Sequence, residues 1–296
     1  MNLTIKELTV NKILLYDFSN ILYSTYFNML KEQQLITNED KNDYWRYLII
    51  KDLVEIKKKF NPKEFILAID SKSNWRKDYF KYYKARRVFA KEKSPIDWDN
   101  FYKVSNSIIE DIKLHYPCKT IQVEKAEADD VIATIALKLK DNNEIIVATR
   151  DKDFKQLLIY PNIKIFDLST REMLTEDDPY LFRLIHLLKG DSGDDVPNLL
   201  SDDNVFVNSD KRQKRITQKV ISEYLELGCK KFVIKHGVVD NYNRNCKLIL
   251  LDLDNIPVDI QEETMYQYHN NNNDATFESL LELVRKYNMY GLLEDI

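Results

Sequence analysis

The sequence predicts an α/β fold with a mostly parallel central sheet flanked by helices, followed by a smaller helical domain. Short, continuously apolar segments alternate with amphipathic helical patterns up to about residue 180. Strands that are apolar on both faces are typical of parallel sheets covered by helices. Beyond that point the strand patterns fade and helical patterns continue. We therefore expect two domains, at residues 1–180 and 181–296.

The expected elements follow one another in a regular order. Strong strand patterns lie at 12–18 (KILLYDF), 64–70 (EFILAID) and 144–151 (EIIVATRD), and weaker ones at 119–124 and 162–168. Helices are predicted at 44–60, 129–141, 179–190, 216–228 and 276–293, because apolar residues recur there at helical spacing. The polar run at 269–274 predicts a loop.

Composition excludes several classes of protein. The formal charge of −4 gives no general affinity for nucleic acid. Three widely spaced cysteines without a C-x-x-C pair predict neither disulfides nor a zinc site. The start of the chain has no secretion-signal pattern, and no run approaches the ~18 apolar residues of a membrane span. A cytoplasmic protein without membrane contact is expected.

Acidic residues close the three strong strand patterns. Asp17, Asp70 and Asp151 occupy equivalent places, and ligands of open α/β sheets bind outside the carboxyl ends of strands, where the strand order reverses. Each residue taken alone is also explained as a turn residue or a helix cap. Because three share one position, we expect them to converge on a single crevice.

Further acids enlarge this set to nine candidate metal ligands. They are Asp17, Asp70, Glu127, Asp129, Asp130, Asp151, Asp153, Asp191 and Asp194. Helix and turn capping is the alternative explanation for several of them. Gathered unpaired in one cleft, so many carboxylates would repel one another. Oxygen ligands suit Mg²⁺, with Mn²⁺ as a substitute, and a set this large suits two ions. Two such ions can clamp a phosphodiester, so the set predicts a nuclease.

A second pair of acids has the same local pattern. Asp252 and Asp254 follow an apolar run, as Asp151 and Asp153 do. The later pair lies in the helical part without a companion cluster of acids, so we expect it to be structural.

Residues 72–93 combine cations with aromatic rings. Nine Lys or Arg residues stand against two acids, with six aromatic residues between them. This mixture is typical of single-stranded nucleic-acid binding, although a solvated helix face above a buried aromatic stripe is the alternative. The run at 211–219 is also basic and is expected to contact duplex backbone. The cations of interest are Arg76, Lys77, Lys84, Arg86, Arg87, Lys211, Arg212, Lys214 and Arg215.

These blocks together resemble the 5′ nucleases, the family of flap endonucleases and 5′ to 3′ exonucleases. LLYDFSNI, LAIDSKSNWRKDYFKYYKARR, EKAEADDVIA, ATRDKDF and LKGDSGDDV occur in order across most of residues 12–200. Within the family, the T-even phage ribonuclease H branch is the most similar. The resemblance implies a PIN-like or resolvase-like sheet. It also implies Mg²⁺-dependent removal of RNA primers and 5′ flaps during phage DNA replication, in the host cytoplasm.

The resemblance further implies roles for single residues. One Mg²⁺ would be held by Asp17, Asp70, Glu127, Asp130 and Asp151, with Asp129 as an outer or alternative ligand. The second would be held by Asp153, Asp191 and Asp194. Catalysis would depend on Asp130 and Asp151, together with Lys84 and Arg87, which would steady the scissile phosphate from a basic arch at 72–97. Tyr83 would stack on a base near the cut.

One feature of many relatives is missing. Residues 196–220 contain no G-x-G of the helix-hairpin-helix that holds a monovalent ion and duplex backbone in those relatives. We therefore expect no such ion site, and expect duplex contact to come from the run at 211–219.

The resemblance implies flapped or branched DNA and RNA/DNA hybrids as substrates. A sliding clamp and a single-strand DNA-binding protein are expected partners, through residues 1–8 or the helical tail, and a monomer is the expected state. Two other functions stay open. One is a PIN-type endoribonuclease acting on single-stranded RNA, and the other is a nonenzymatic binder of DNA structures whose acids only cap helices.

Overall fold

The structure, a computed structural model, describes residues 11–32 and 38–294. Its strands are β1 (Asn11–Asp17), β2 (Glu64–Ala68), β3 (Lys119–Ile121), β4 (Asn143–Thr149), β5 (Ile163–Asp167) and β6 (Glu172–Leu174). Among the described residues they form one sheet in the order β3-β2-β1-β4-β5-β6, in which β6 alone pairs antiparallel. The predicted α/β class with a mostly parallel sheet is confirmed.

The described helices alternate with the strands and then dominate. They are α1 (Phe18–Glu32), α2 (Asn38–Phe60), α3 (Trp75–Tyr79), α4 (Ala85–Glu92), α5 (Trp98–His115), α6 (Ala128–Leu139), α7 (Pro179–Lys189), α8 (Gln218–Leu227), α9 (Cys229–His236), α10 (Val239–Ile249), α11 (Val258–Asn270) and α12 (Phe277–Lys286). Two 3₁₀ helices lie at Lys152–Ile159 and Tyr290–Glu294. In this part of the chain no helix is both long and apolar enough to cross a bilayer.

The central strand explains the continuously apolar pattern. Leu14 and Tyr16 of β1 face a core shared with α1, α2, α5 and α12. Ile13 and Leu15 face the opposite core, which includes α6 and α11. Successive side chains of a strand point to opposite faces, so a strand covered on both sides needs apolar residues throughout. The five predicted strands all form, and each ends one to three residues earlier than predicted; the short edge strand β6 was not predicted.

The predicted boundary at residue 180 does not follow the packing. Helices α7 to α9 do form a cluster of their own, around Leu188, Tyr224 and Phe232. However, α11 and α12 return to the sheet, where Ile260 joins one core and Leu283 the other. The range 181–296 is therefore not one packing unit among its described residues.

One smaller expectation changes, and another stays a prediction. The polar run at 269–274 begins inside α11, which extends to Asn270, and its Asn273 amide donates to Tyr116 O at 2.8 Å, at the end of α5. Residues 1–8, an expected partner contact, lie outside the described residues.

Candidate active site

The site lies where the strand order reverses. β1 has β2 on one side and β4 on the other, although β2 and β3 come between β1 and β4 in the chain. Asp17 ends β1, and Asp151 follows β4 and caps the 3₁₀ helix Lys152–Ile159 by accepting from Asp153 N at 2.8 Å. The carboxyl ends of these neighbouring strands thus open on one crevice, as is usual for ligand sites of such sheets.

Five of the nine predicted carboxylates line one small cavity. They are Asp129, Asp151, Asp153, Asp191 and Asp194. The cavity encloses about 20 Å³, enough for about one water-sized particle. Three chain segments therefore deliver carboxylates to the same point: the start of α6, the turn after β4 and the turn after α7.

Asp17 and Asp70 do not line this cavity, but the charge of Asp17 interacts with those of Asp70, Asp129 and Asp151, and Asp70 lines a separate groove. Asp17 is buried, and its carboxylate accepts from Thr149 Oγ1 at 2.8 Å and from Asn20 N at 3.2 Å. Asp70 accepts from Ala128 N at 2.7 Å, which ties it to the first turn of α6. These bonds fix the carboxylates while leaving acceptor capacity unused, because each carboxylate offers about four lone-pair sites.

The crowding raises several pKa values. Burial, with the neighbouring Asp70 carboxylate, raises the pKa of Asp17 to about 7. Burial and the charges of Asp151 and Asp191 raise the pKa of Asp153 to about 8. Burial next to Asp151 also raises the pKa of Asp129. The raised pKa values show that neighbouring cations of the protein do not balance the charge of these carboxylates. Bound divalent cations would balance it.

One cation of the protein partly fills that need. The Lys84 ammonium lies 2.5 Å from Glu127 Oε1 and 3.4 Å from Asp194 Oδ2. Burial opposes ionisation of Glu127, but Lys84 and Arg76 outweigh it and hold the pKa of Glu127 at about 2. A partly buried ammonium between two carboxylates occupies the place that a bound cation would take, so the donor set fits a cation.

Asp130 does not face the cavity. It is fully buried, and its carboxylate accepts from Trp75 Nε1 at 2.9 Å, from Glu127 N at 3.0 Å and from both terminal nitrogens of Arg76. The prediction that Asp130 holds the metal is contradicted by these contacts, because its oxygens are already satisfied inside the protein. Its neighbour Asp129 is the residue in the cavity, where no described residue donates a hydrogen bond to its carboxylate.

Arg76 is also placed differently from the prediction. Its side chain is 3% exposed, and besides Asp130 it contacts Glu127 Oε2 at 3.1 Å and Leu248 O at 3.3 Å. The prediction that Arg76 binds nucleic acid is wrong, because the guanidinium is already bound to internal acceptors. Arg76 joins the start of the arch, the start of α6 and the end of α10.

Tyr83 is buried as well. Its ring packs with Phe80, Val196 and Leu248, and its hydroxyl lies 2.8 Å from both Glu127 Oε2 and Asp194 Oδ2. With one hydrogen it donates to one of these carboxylates at a time. The prediction that this ring stacks on a base is wrong in this structure.

The remaining arch cations are at the surface or at its edge. Arg87 is largely exposed and donates to Asp194 Oδ1 at 2.5 Å. Arg86 is half-exposed, pairs with the buried Asp195 and lies over the ring of Phe206 at 4.5 Å. Lys77 is exposed on α3. Lys84 and Arg87 therefore face the acidic cleft, whereas Arg86 ties the arch to the turn that carries Asp191 and Asp194.

The second basic run is open to solvent. Lys211, Arg212, Lys214 and Arg215 are all exposed, and Lys211 also pairs with Asp202 at 2.7 Å. In the same region the Asn241 side-chain amide donates to Leu199 O at 2.8 Å and to Ser201 O at 3.0 Å. The backbone carbonyls of Leu199 and Ser201 lie in the segment where many relatives hold a monovalent ion, and here they accept hydrogen bonds from the Asn241 amide.

The later acidic pair does not join the cluster. Asp252 accepts from Arg183, and it lines a different groove together with Asp254. These contacts agree with the structural role expected for the pair.

Sequence patterns missed one residue of the site. His186, on the last turn of α7, has its Nε2 atom 3.7 Å from Asp153 Oδ2, and burial lowers its pKa. One donor atom of each of Asp153, His186 and Asp191 lies within 4.8 Å of the others. A lone histidine in an apolar helix belongs to no recognisable motif. The signal in the sequence was its position five residues before Asp191, with Gly190, which ends the helix, between them.

Comparison with known proteins gives a consistent result. Residues 12–181 match the family described as 5′-3′ exonuclease, N-terminal resolvase-like domain. Ribonuclease H of Enterobacteria phage T4 is 27% identical over 273 residues, which cover 87% of this chain and 86% of that protein. A 5′-3′ exonuclease of Buchnera aphidicola (subsp. Schizaphis graminum) is 31% identical over 198 residues, 63% of this chain and 65% of that protein.

Solved structures share the fold. The bacteriophage T5 flap endonuclease, in a pseudo-enzyme-product complex with DNA and metal ions, superposes with a TM-score of 0.66 at 16% identity, over 88% of this chain and 98% of that one. The T5 5′-exonuclease with bound divalent metal ions (zinc) gives a TM-score of 0.65 at 17% identity, over 88% of this chain and 100% of that one.

The match to the family model covers more than half of the chain, and membership of a nuclease family disfavours a nonenzymatic binder. The chain belongs to the 5′-3′ exonuclease family of nucleases with a resolvase-like amino-terminal domain.

Proposed function

We propose that this protein is a Mg²⁺-dependent, two-metal 5′ nuclease that removes RNA primers and 5′ flaps during phage DNA replication. The observation that carries the proposal is the cavity lined by five carboxylates at the strand-order reversal, with the Lys84 ammonium beside it. The similarity to phage T4 ribonuclease H, over most of both chains, supports the RNA of a hybrid duplex as a substrate.

The contacts of Asp129 and Asp130 support a different assignment of ligands. We assign the first cation to Asp17, Asp70, Asp129 and Asp151, and the second to Asp153, Asp191 and Asp194. Glu127 can join the first group only when Lys84 moves away from it, since their charged atoms are 2.5 Å apart. Asp130 leaves the ligand set and serves as the internal partner of Arg76.

Two divalent cations bound in this way would activate water and neutralise the leaving oxygen of a phosphodiester. The chain's own residues do the rest. Lys84 and Arg87, which lie against Glu127 and Asp194, are placed to turn towards a phosphate that enters the cleft. Positive charge there stabilises the charge that develops on the phosphate in the transition state. Thr149 and Ala128 hold Asp17 and Asp70 in place.

Contact with nucleic acid is assigned to two surfaces. The arch at 72–97 presents the exposed Lys77 and holds Arg87 against the cleft acid Asp194. The run at 211–219 presents its exposed cations, which we assign to duplex backbone. Such cations bind phosphates without regard to sequence. Branched DNA and RNA/DNA hybrids are the proposed substrates of a monomer. Contacts with a sliding clamp and a single-strand DNA-binding protein stay predictions.

A cleavage assay tests the proposal. A 5′-flapped DNA duplex, labelled at each end in turn, is incubated with the protein in Mg²⁺ or in EDTA, beside a linear single-stranded RNA. We expect Mg²⁺-dependent cutting at the flap junction or from the 5′ side. Binding without cutting would contradict the enzyme assignment, and a preference for the RNA without use of its 5′ end would favour a PIN-type endoribonuclease.

A further inference from the structure

We propose that His186 supplies a nitrogen ligand to the divalent cation held by Asp153 and Asp191, so that this site binds Mn²⁺ and Zn²⁺ in preference to Mg²⁺. The inference rests on the proposed function, because it concerns the second of the two cations. It adds a donor that the acidic pattern of the sequence does not contain.

The geometry suits a shared ion better than a hydrogen bond. His186 Nε2 lies 3.7 Å from Asp153 Oδ2, beyond the ~3.2 Å limit of an N–H···O hydrogen bond. Two ligands bonded at about 2.1 Å lie ~3.0 Å apart when adjacent and ~4.2 Å apart when opposite. The separation falls between these values, and Asp191 contributes a third donor atom within 4.8 Å of both.

The backbone holds these donors at fixed places. His186 stands on the last turn of α7, which Gly190 ends with φ +69°. A Cβ at Gly190 would lie 2.4 Å from Val196 O, so the turn needs glycine. Asp191 is then fixed by paired backbone hydrogen bonds with Val196 at 2.9 and 2.8 Å. The His186 ring rests on Phe182, with centroids 5.7 Å apart.

The donor types make the two cation sites chemically different. Asp17, Asp70, Asp129 and Asp151 offer only oxygen, which suits Mg²⁺. Asp153, Asp191 and Asp194 with His186 offer three carboxylates and an imidazole, and imidazole favours transition metals over Mg²⁺. Mixed occupation, with Mg²⁺ in the first site and Mn²⁺ in the second, follows when both ions are present.

Metal binding without substrate tests this inference. The metal-free protein is titrated with Mn²⁺ and with Mg²⁺ by calorimetry, and bound Mn²⁺ is examined by pulsed electron paramagnetic resonance for hyperfine coupling to nitrogen. The variants are His186→Gln and, as a control, His236→Gln, whose histidine pairs with Glu223 on the surface. Thermal melting establishes that each variant is folded.

We expect nitrogen coupling in the wild type and in the control, and its loss in His186→Gln. The same variant should lose about tenfold or more in Mn²⁺ affinity and less than about threefold in Mg²⁺ affinity. Mn²⁺ bound by the wild type without nitrogen coupling would overturn the inference and leave the nuclease proposal intact. Absence of Mn²⁺ binding while Mg²⁺ still binds would overturn the inference alone, and absence of binding of either ion would overturn both proposals. The spectrum of the wild type decides the question without any variant, so the test still stands if His186→Gln does not fold.

Discussion

Arg76 and Asp130 form a two-pronged ion pair, closed off from solvent, directly behind the acidic cleft. Arg76 Nη1 donates to Asp130 Oδ2 at 2.9 Å, and Nη2 donates to Oδ1 at 2.7 Å. The pair joins the start of the arch to the start of α6. Asp130 is therefore bound by the protein itself, whereas the adjacent Asp129 lines the small cavity of the cleft.

Removal of Arg76 should destabilise the fold. Arg76→Met leaves the Asp130 carboxylate buried without its partner, and breaking a buried pair in this way costs ~3 to 5 kcal/mol. Urea unfolding measures the change. Lys77→Met, at the exposed neighbouring position, is the control and should stay within about 0.5 kcal/mol of the wild type. A loss of stability below about 1 kcal/mol in Arg76→Met would show that the pair is not needed.

Asp129 and Asp130 should behave in opposite ways although they are adjacent. Asp129→Asn removes a carboxylate from the cavity, so we expect strongly weakened Mn²⁺ binding, abolished cleavage and a fold at least as stable as the wild type. Asp130→Asn removes the charge that faces Arg76, so stability should fall by ~1 to 3 kcal/mol while Mn²⁺ affinity changes little. Calorimetry and urea unfolding of both variants give the answer, and the reversed pattern would restore Asp130 as the ligand.

Lys84→Ala should have two separable effects. The single-turnover rate of flap cleavage should fall by ~10²- to 10³-fold, the usual cost of removing one group that stabilises transition-state charge. Affinity for Mn²⁺ should rise or stay unchanged, because the ammonium no longer competes for Glu127 and Asp194. Lys81→Ala, at an exposed arch position, is the matched control. An unchanged cleavage rate would remove Lys84 from the chemistry.

The metal-free protein should lose stability as pH rises. The Asp17 carboxyl titrates at about 7 in the folded state and near 3.8 when unfolded, so between these values the folded state binds more protons. Stability from this group is then full at low pH and declines as pH rises towards 7, by at most ~1.4 kcal/mol per pH unit. Because the pKa of Asp153 is about 8, the pH range over which stability declines extends to about pH 8.

Melting temperatures between pH 5 and pH 8 measure this slope. Asp17→Asn should flatten the slope and raise the melting temperature at pH 8, and Mn²⁺ should stabilise the wild type more at pH 8 than at pH 5. A metal-free protein that became more stable over this range would contradict the crowding of charge in the cleft.

The basic run should determine how DNA binding depends on salt. Replacing Lys211, Arg212, Lys214 and Arg215 with Gln should weaken binding to a flapped duplex and lower the log–log salt slope by ~0.9 for each phosphate that the protein no longer neutralises. Lys230→Gln with Lys231→Gln, two exposed cations of α9, is the control. Fluorescence anisotropy at several salt concentrations measures the affinity and the slope. An unchanged salt slope would show that the basic run does not contact the duplex.

Local patterns predicted the sheet and the location of the site. Leu14 and Leu15 make both faces of β1 apolar. Asp17 and Asp151 stand at the ends of strands that are neighbours where the strand order reverses. Each of these patterns lies within a few consecutive residues and can therefore be recognised in the sequence. The parallel order then follows from helices that connect the strands.

Contacts between distant segments could not be predicted in the same way. Asp129 and Asp130 are indistinguishable in the motif, and the side chain of Asp130 is turned inward by Arg76, 54 residues earlier. Tyr83 is buried because Val196 and Leu248 cover its ring. The return of α11 and α12 to the sheet likewise depends on tertiary packing, which outweighs any local preference.

The most direct measurement is anomalous diffraction from a crystal of this protein soaked in Mn²⁺. We expect two peaks: one among Asp17, Asp70, Asp129 and Asp151, and the other among Asp153, Asp191 and Asp194. Arg76 should still be paired with Asp130. The absence of any peak in the cleft, or a Mn²⁺ ion bound to Asp130 in place of Asp129, would contradict the assignment of the two cation sites.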